Sequence, residues 1–306
     1  MLTRRDFLGN TALGMAAVAS PRRSLSGSLP ESSKGMLIAD LHTHMPAKTS
    51  HDELFSAIAG GVVGITAKRT GDSADRKTLT YEDCFNLFIN YREGNKFVYQ
   101  VDGVDKNLMA RVEKNGEHGF FLKTQEILSK FHVLALFTHD IGENNYLPTC
   151  TTTQKSIATI RGEGAKAVIC HPYVVSAPFM YRLISHEEFF DLENCCKLAG
   201  NIERHNAQCI DLVPYIPLVD HLVPDVLRMK RANLAASLLA DKYHVSGLCA
   251  SDARLPSQVR VAGTFVPDNF KSVSSLADLL GNNFDDSLHV KGYVDVLSWL
   301  QGNLLS

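Results

Sequence analysis

Short apolar runs recur along this chain, and most of them are followed by a stretch whose apolar residues fall three or four positions apart. Residues 36–39 (MLIA) form the first run and predict a strand, and residues 51–59 predict a helix. Residues 60–66 (GGVVGIT) predict a second, buried strand; residues 68–80 are polar and rich in Gly, Asp and Ser, as a loop is. Residues 81–91 predict an amphipathic helix, and 94–125 two or more short strands with a loop at Asn115-Gly116. A strand follows at 131–138 (FHVLALFT), then a helix at 153–161 ended by Gly162 and Gly164. Residues 165–170 form the next strand, which reaches His171-Pro172. Residues 187–198 predict a helix, 201–205 a strand segment and 245–250 a further buried strand. Residues 223–243 contain a long helix, with Leu234, Leu238 and Leu239 expected on one face. Strands alternating with helices imply an α/β fold built on a parallel sheet, closed or open. No internal repeat is visible.

The chemistry of the chain collects where these strands end. The first run closes on Asp40-Leu41-His42-Thr43-His44. Alternation along a strand puts His42 and His44 on one face, where two imidazoles can share a metal ion. Glu126, His132, His171 and Asp252 stand at other apparent strand ends. In a (β/α) barrel such positions converge on one mouth, whereas buried singly they would be costly. Each has a plainer alternative: a satisfied strand-end histidine for His171, a solvated helix-face charge for Glu126, an N-cap for Asp252. His139, in Thr138-His139-Asp140, competes with His132 for one ligand position.

Composition narrows the classes without selecting one. The chain has 306 residues, 45% hydrophobic and 21% charged, which excludes a disordered or fibrous chain and allows one large core. A net charge of −2, with no long basic run past the leader, gives no support for duplex nucleic acid as a partner. No apolar stretch is long enough to span a membrane. Seven cysteines without a C-x-x-C are no disulfide framework. Cys170 and Cys249, in apolar runs, read as small buried thiols. Thr3-Arg4-Arg5-Asp6-Phe7-Leu8, a small-residue segment and Ala17-Val18-Ala19 resemble a twin-arginine export signal over residues 1–19. Residues 20–35 then read as a flexible lead-in to one domain over 36–306, and the location expected is periplasmic or otherwise exported, reached through the twin-arginine machinery.

Five short motifs occur in one order: Asp40 to His44; Gly64-Ile65-Thr66; Gln125-Glu126-Ile127 with Phe131-His132; Ala167 to Pro172; and Ala250-Ser251-Asp252-Ala253. Over roughly residues 36–256 this order resembles the PHP (polymerase and histidinol phosphatase) superfamily, and most of all its small stand-alone phosphoesterases. The resemblance implies a distorted (β/α)7, TIM-like barrel and metal-dependent phosphoester hydrolysis. It also implies a ligand set: His42, His44, Glu126 and Asp252 for one divalent ion, and Glu126, His132 and His171 for a second, with Glu126 as the bridge. A His-carboxylate set of this kind admits Zn, Mn or Fe.

Two motifs depart from the family pattern. Where it has Thr-Asp-His this chain has Thr66-Ala67-Lys68, and where it has Ser-Asp-x-His this chain has Ser251-Asp252-Ala253-Arg254. By the same resemblance both missing histidines belong to a third metal, so two ions remain. Lys68 and Arg254 would then place fixed cations near the vacated position, Arg254 as a two-pronged donor to a phosphate and Lys68 as a point charge. A small phosphorylated substrate is the expectation. Hydrolysis of a C–N or other non-phosphate bond, and metal or phosphate binding without turnover, remain the alternatives. The segments expected to set specificity, residues 68–125 and 173–200, carry no motif that names a substrate.

Overall fold

A computed structural model describes residues 35–68, 78–105, 108–138, 152–177, 180–211, 229–270, 272–281 and 288–304. The leader, most of the 68–80 loop, His139 and residues 223–228 of the expected long helix lie outside them. Seven strands make the barrel: β1 (Met36–Thr43), β2 (Gly61–Lys68), β3 (Glu117–Ile127), β4 (Val133–Leu136), β5 (Lys166–Ile169), β6 (Asn201–Asn206) and β7 (Ser246–Ala250). They pair in sequence order, and the ring closes at the mouth, where Thr43 bridges Ala253 and His44 N donates to Ala253 O at 2.6 Å. At the opposite end β8 (Ala262–Pro267) pairs antiparallel with the first half of β1 and wedges between it and β7.

Interior and exterior separate cleanly along the strands. Leu122 of β3, Leu134 and Leu136 of β4, Val168 and Cys170 at β5 and Leu248 of β7 share one buried cluster with Leu37, Ala39 and Leu41 of β1. Their outward neighbours pack under the helices. Val133, Ala135, Ala167, Ile169 and Ile202 lie against α3 (Thr153–Gly162), α4 (His186–Ala199) and α5 (Lys230–Tyr243). Val63, Ile65 and Phe121 lie against α1 (His51–Ile58) and α2 (Tyr81–Asn90). Reciprocal capping boxes, Ser50 with Glu53 and Thr80 with Asp83, fix where α1 and α2 begin. Gly64 lets β1 and β2 approach beside the first motif, since a Cβ there would fall 2.2 Å from Leu41 O.

Three expectations need correction. The sheet is mixed, because β4 runs antiparallel to both neighbours. Only residues 128–132 separate β3 from β4, too few for the crossover that a parallel neighbour requires. The expected leucine face on α5 divides instead: Leu239 is 2% exposed, but Leu234 is 66% and Leu238 61% exposed. The helix rests on the barrel through Ala232, Asn233, Ala236, Leu239 and Ala240, and small residues let it come close to the sheet. The region after residue 256, where the sequence suggested no element, holds β8, α6 (Val273–Gly281), a short strand His289–Lys291 and α7 (Val296–Leu304).

The hairpin at Asn115-Gly116 is as expected, with both residues at positive φ (54° and 85°), the backbone a tight two-residue turn requires. All six described cysteines are buried, and none of them is in a disulfide. No described helix is long and apolar enough to cross a membrane.

Candidate metal centre

His42, His44, Glu126, His132, His171 and Asp252 meet at the barrel mouth, all nearly inaccessible to solvent. Each arrives by its own local device. Leu37, Ala39 and Leu41 point into the barrel, so strict alternation would turn His42 away from it. A β-bulge between Asp40 and Thr43 resets the phase, and His42 and His44 follow Leu41 inward. Glu126 simply continues the inward series Leu122, Thr124 on β3. His132 precedes β4; because that strand is reversed, its start rather than its end lies at the mouth, and its last residue, Leu136, pairs with Lys166 at the far end.

His171 and Asp252 reach the site through strained backbone. Both are in the left-handed region, at φ 29° and 48°, which costs a residue with a side chain about 1–3 kcal/mol. His171 also precedes Pro172, where extended backbone is the norm. Buried hydrogen bonds hold both residues. The His171 N–H donates to Glu203 Oε2 at 2.7 Å and Nδ1 to Val174 O at 3.2 Å, leaving Nε2 as the lone-pair nitrogen. The Ser251–Ala253 turn hangs on Asp40, whose carboxylate accepts from Ser251 N, Ser251 Oγ and Arg260 N. Burial raises the Asp40 carboxyl to about 6 despite those donors.

The resulting distances are those of converging ligands. His42 Nε2 and His44 Nε2 stand 3.1 Å apart. Glu126 Oε2 is 3.2 Å from His44 Nε2, and Asp252 Oδ1 is 3.5 Å from His44 Nε2 and 3.7 Å from His42 Nε2. The other Glu126 oxygen, Oε1, lies 2.7 Å from His132 Nδ1 and 3.7 Å from His171 Nε2. Oε1 is also 4.0 Å from His42 Nε2, and the two ligand groups, His42–His44–Glu126 and Glu126–His132–His171, share the Glu126 carboxylate.

Electrostatics make the place attractive to cations. Glu126, Asp252 and Glu203 are all buried, and among the described residues the permanent cation against them is Arg254, with Nη2 2.8 Å from Asp252 Oδ1. Burial works against a charge on His42, yet Asp252, Glu203 and Glu126 push its pKa up to about 9. Burial works against a charge on His171 as well, but Glu126, Glu203 and Asp252 together raise its pKa. Asp252 stays below the usual carboxylate range: burial opposes this, but Arg254, His42 and His44 outweigh it. Imidazole and carboxylate donors converging with excess negative charge suit divalent ions of the Zn, Mn and Fe kind.

Glu203 escaped the sequence analysis. Its Oε1 accepts from His42 Nδ1 at 2.6 Å; its Oε2 accepts from the His171 N–H and, at 3.1 Å, from Asn206 Nδ2. One carboxylate thus orients two histidines. Glu203 and His42 also form a third buried group with Cys170, whose thiol burial pushes well up and keeps protonated. The one legible hint was an acidic residue inside an expected strand segment. Lys68 ends β2 directly opposite Glu126, and its side chain lies outside the described part.

No known family profile matches the sequence, and no curated protein does. Among solved structures, a two-domain protein from Bacteroides vulgatus containing a predicted PHP-like metal-dependent phosphoesterase aligns at 15% identity and a TM-score of 0.42. The alignment covers 81% of this chain and 63% of that one, so this chain spans less than two thirds of that protein's length. PsfC from Pseudomonas syringae aligns at 12% identity and a TM-score of 0.43, over 89% of this chain and 98% of that one. The lesion-specific endonuclease PfuEndoQ from Pyrococcus furiosus aligns at 12% identity and a TM-score of 0.40, over 80% and 56%.

Proposed function

We propose that this chain is a metal-dependent phosphoesterase whose two metal positions share Glu126. The observation that carries this reading is that both ligand groups share the Glu126 carboxylate, Oε2 close to His44 and Oε1 closest to His132 and then to His171 and His42. His42, His44, Glu126 and Asp252 would hold one ion, and Glu126, His132 and His171 the other. Divalent ions bound there would supply Lewis acidity toward a phosphoryl oxygen and a water acidic enough to attack near neutral pH. The chain's own groups do the rest. Glu203 accepts a hydrogen bond from the Nδ1–H of His42, so that Nε2 presents its lone pair; Asp40 fixes the turn that carries Asp252. Arg254, whose Nη2 lies 2.8 Å from Asp252 Oδ1, would hold phosphoryl oxygens, and Lys68 is proposed as a second cation.

The test is metal content together with turnover. Reconstituted protein should carry close to two divalent ions per chain by elemental analysis and release phosphate from a panel of phosphoesters. Glu126→Ala should lose more metal than His171→Ala, because it removes a ligand from both positions. Protein that takes up no metal would refute the site. Metal-loaded protein that cleaves amides and not phosphoesters, or neither, would refute the chemistry.

Export is the second part of the proposal, supported by Arg4-Arg5, the small-residue segment and Ala17-Val18-Ala19. Replacing Arg4 and Arg5 with lysine should leave full-length precursor in the cytoplasm, and the mature wild type should begin near Ser20. Normal export of the double variant would overturn it.

A further inference from the structure

The C-terminal helix α7 packs directly against the mouth of the site. Trp299 and Asn303 line the same cavity as His171, Asn206, Asp252 and Arg254. The helix is tied down by buried amides. Trp299 Nε1 donates to Gln208 O at 3.1 Å, and Asn303 Nδ2 to Gln208 Oε1 at 3.2 Å. Gln258 Nε2 donates to Ser298 O at 2.8 Å, while Gln258 Oε1 accepts from Arg254 N at 2.7 Å and from Gln208 Nε2 at 3.1 Å. One glutamine therefore joins the helix to the backbone of Arg254. Gly302 joins it to the side chain: a Cβ at that position would lie 2.7 Å from Arg254 Cβ and 3.2 Å from Gln258 Nε2. Cβ is the root of the arginine, so any side chain at 302 must displace the whole residue and not merely its flexible tip.

We propose that α7 belongs to the anion-binding side of the site, with Gly302 and Gln258 as positioning residues that seat Arg254 against Asp252 for a phosphoryl oxyanion. The proposal rests on the phosphoesterase reading, because it gives Arg254 a phosphate to hold. A guanidinium that makes two parallel hydrogen bonds tolerates little displacement, so the fit of the helix on its root sets the affinity at its tip. The substrate would then be held by an element some fifty residues beyond the last motif, one to which the motifs make no reference.

The experiment is a double-mutant cycle on binding, which needs no turnover. Metal-loaded wild type, Gly302→Ala, Arg254→Ala and the double variant are titrated with inorganic phosphate by calorimetry, with metal content measured on each. Gly302→Ala and Arg254→Ala should each weaken phosphate binding about tenfold or more at unchanged metal content. The double variant should bind no more weakly than Arg254→Ala alone, since a seat without its occupant has nothing left to lose. Gln258→Ala, which leaves Gly302 intact, should show the same dependence on Arg254 and serves if Gly302→Ala does not fold. Wild-type phosphate affinity in Gly302→Ala and Gln258→Ala, or losses that multiply with that of Arg254→Ala, would overturn the proposal alone. A wild type that holds metal but binds no phosphate would overturn the phosphoesterase reading, and this proposal with it.

Discussion

Glu203→Gln is a nearly isosteric change whose consequence can be worked out from three hydrogen bonds. In the wild type the two carboxylate oxygens accept from His42 Nδ1, from the backbone N–H of His171 and from Asn206 Nδ2. Glutamine keeps one acceptor oxygen and turns the other into a donor. The amide nitrogen cannot face His171, because a backbone N–H has no other form and would meet a second donor. It must therefore face His42 Nδ1. That ring has an escape the backbone lacks: it moves its proton from Nδ1 to Nε2. The hydrogen bond survives, but Nε2 is the nitrogen that stands 3.1 Å from His44 Nε2 and 3.7 Å from Asp252 Oδ1, and a protonated nitrogen cannot ligate. The loss expected from disturbing such an outer partner is about 10- to 100-fold in metal affinity, or roughly 1.4–2.8 kcal/mol. Competitive titration of zinc against a chromogenic chelator measures the affinity, and long-range 1H–15N NMR reads the His42 tautomer in metal-free protein above about pH 9, where the ring is neutral. Wild-type affinity with the proton still on His42 Nδ1 would refute the reasoning, including the role given to Glu203.

Leu234→Ser with Leu238→Ser should leave thermal stability within about 0.5 kcal/mol per site, since both side chains are already mostly in water; a loss of several degrees in Tm would show that the face is covered in solution. Gly64→Ala should destabilise by about 1–3 kcal/mol, read by denaturant unfolding, because its Cβ would meet the backbone of Leu41 rather than a movable side chain. Unchanged stability there would mean that β1 and β2 separate easily beside the first motif.

What could be read from the sequence was the chemistry at strand ends, and what could not was the geometry that delivers it. Glu126 was legible as an acid at an apparent strand end, where the structure has it continue the inward alternation of β3. His42 and His44 were legible as a pair, but the bulge that turns both inward leaves no mark in a sequence of apolar and polar letters. His132 sits at the mouth because β4 is reversed, a fact set by the five residues that lead into it and not by its own apolar pattern. His171 and Asp252 depend on positive φ at residues that ordinarily avoid it, and only the buried carboxylates of Glu203 and Asp40 show how that backbone is held. These two acids were passed over for one physical reason. Their partners are a neighbouring strand's backbone and ring protons, reached across 32 residues in one case and 211 in the other, and no local period registers such a pairing. The same reason hid α7: Gly302 matters for the atom it lacks, and a missing Cβ has meaning only once Arg254 is seen against it.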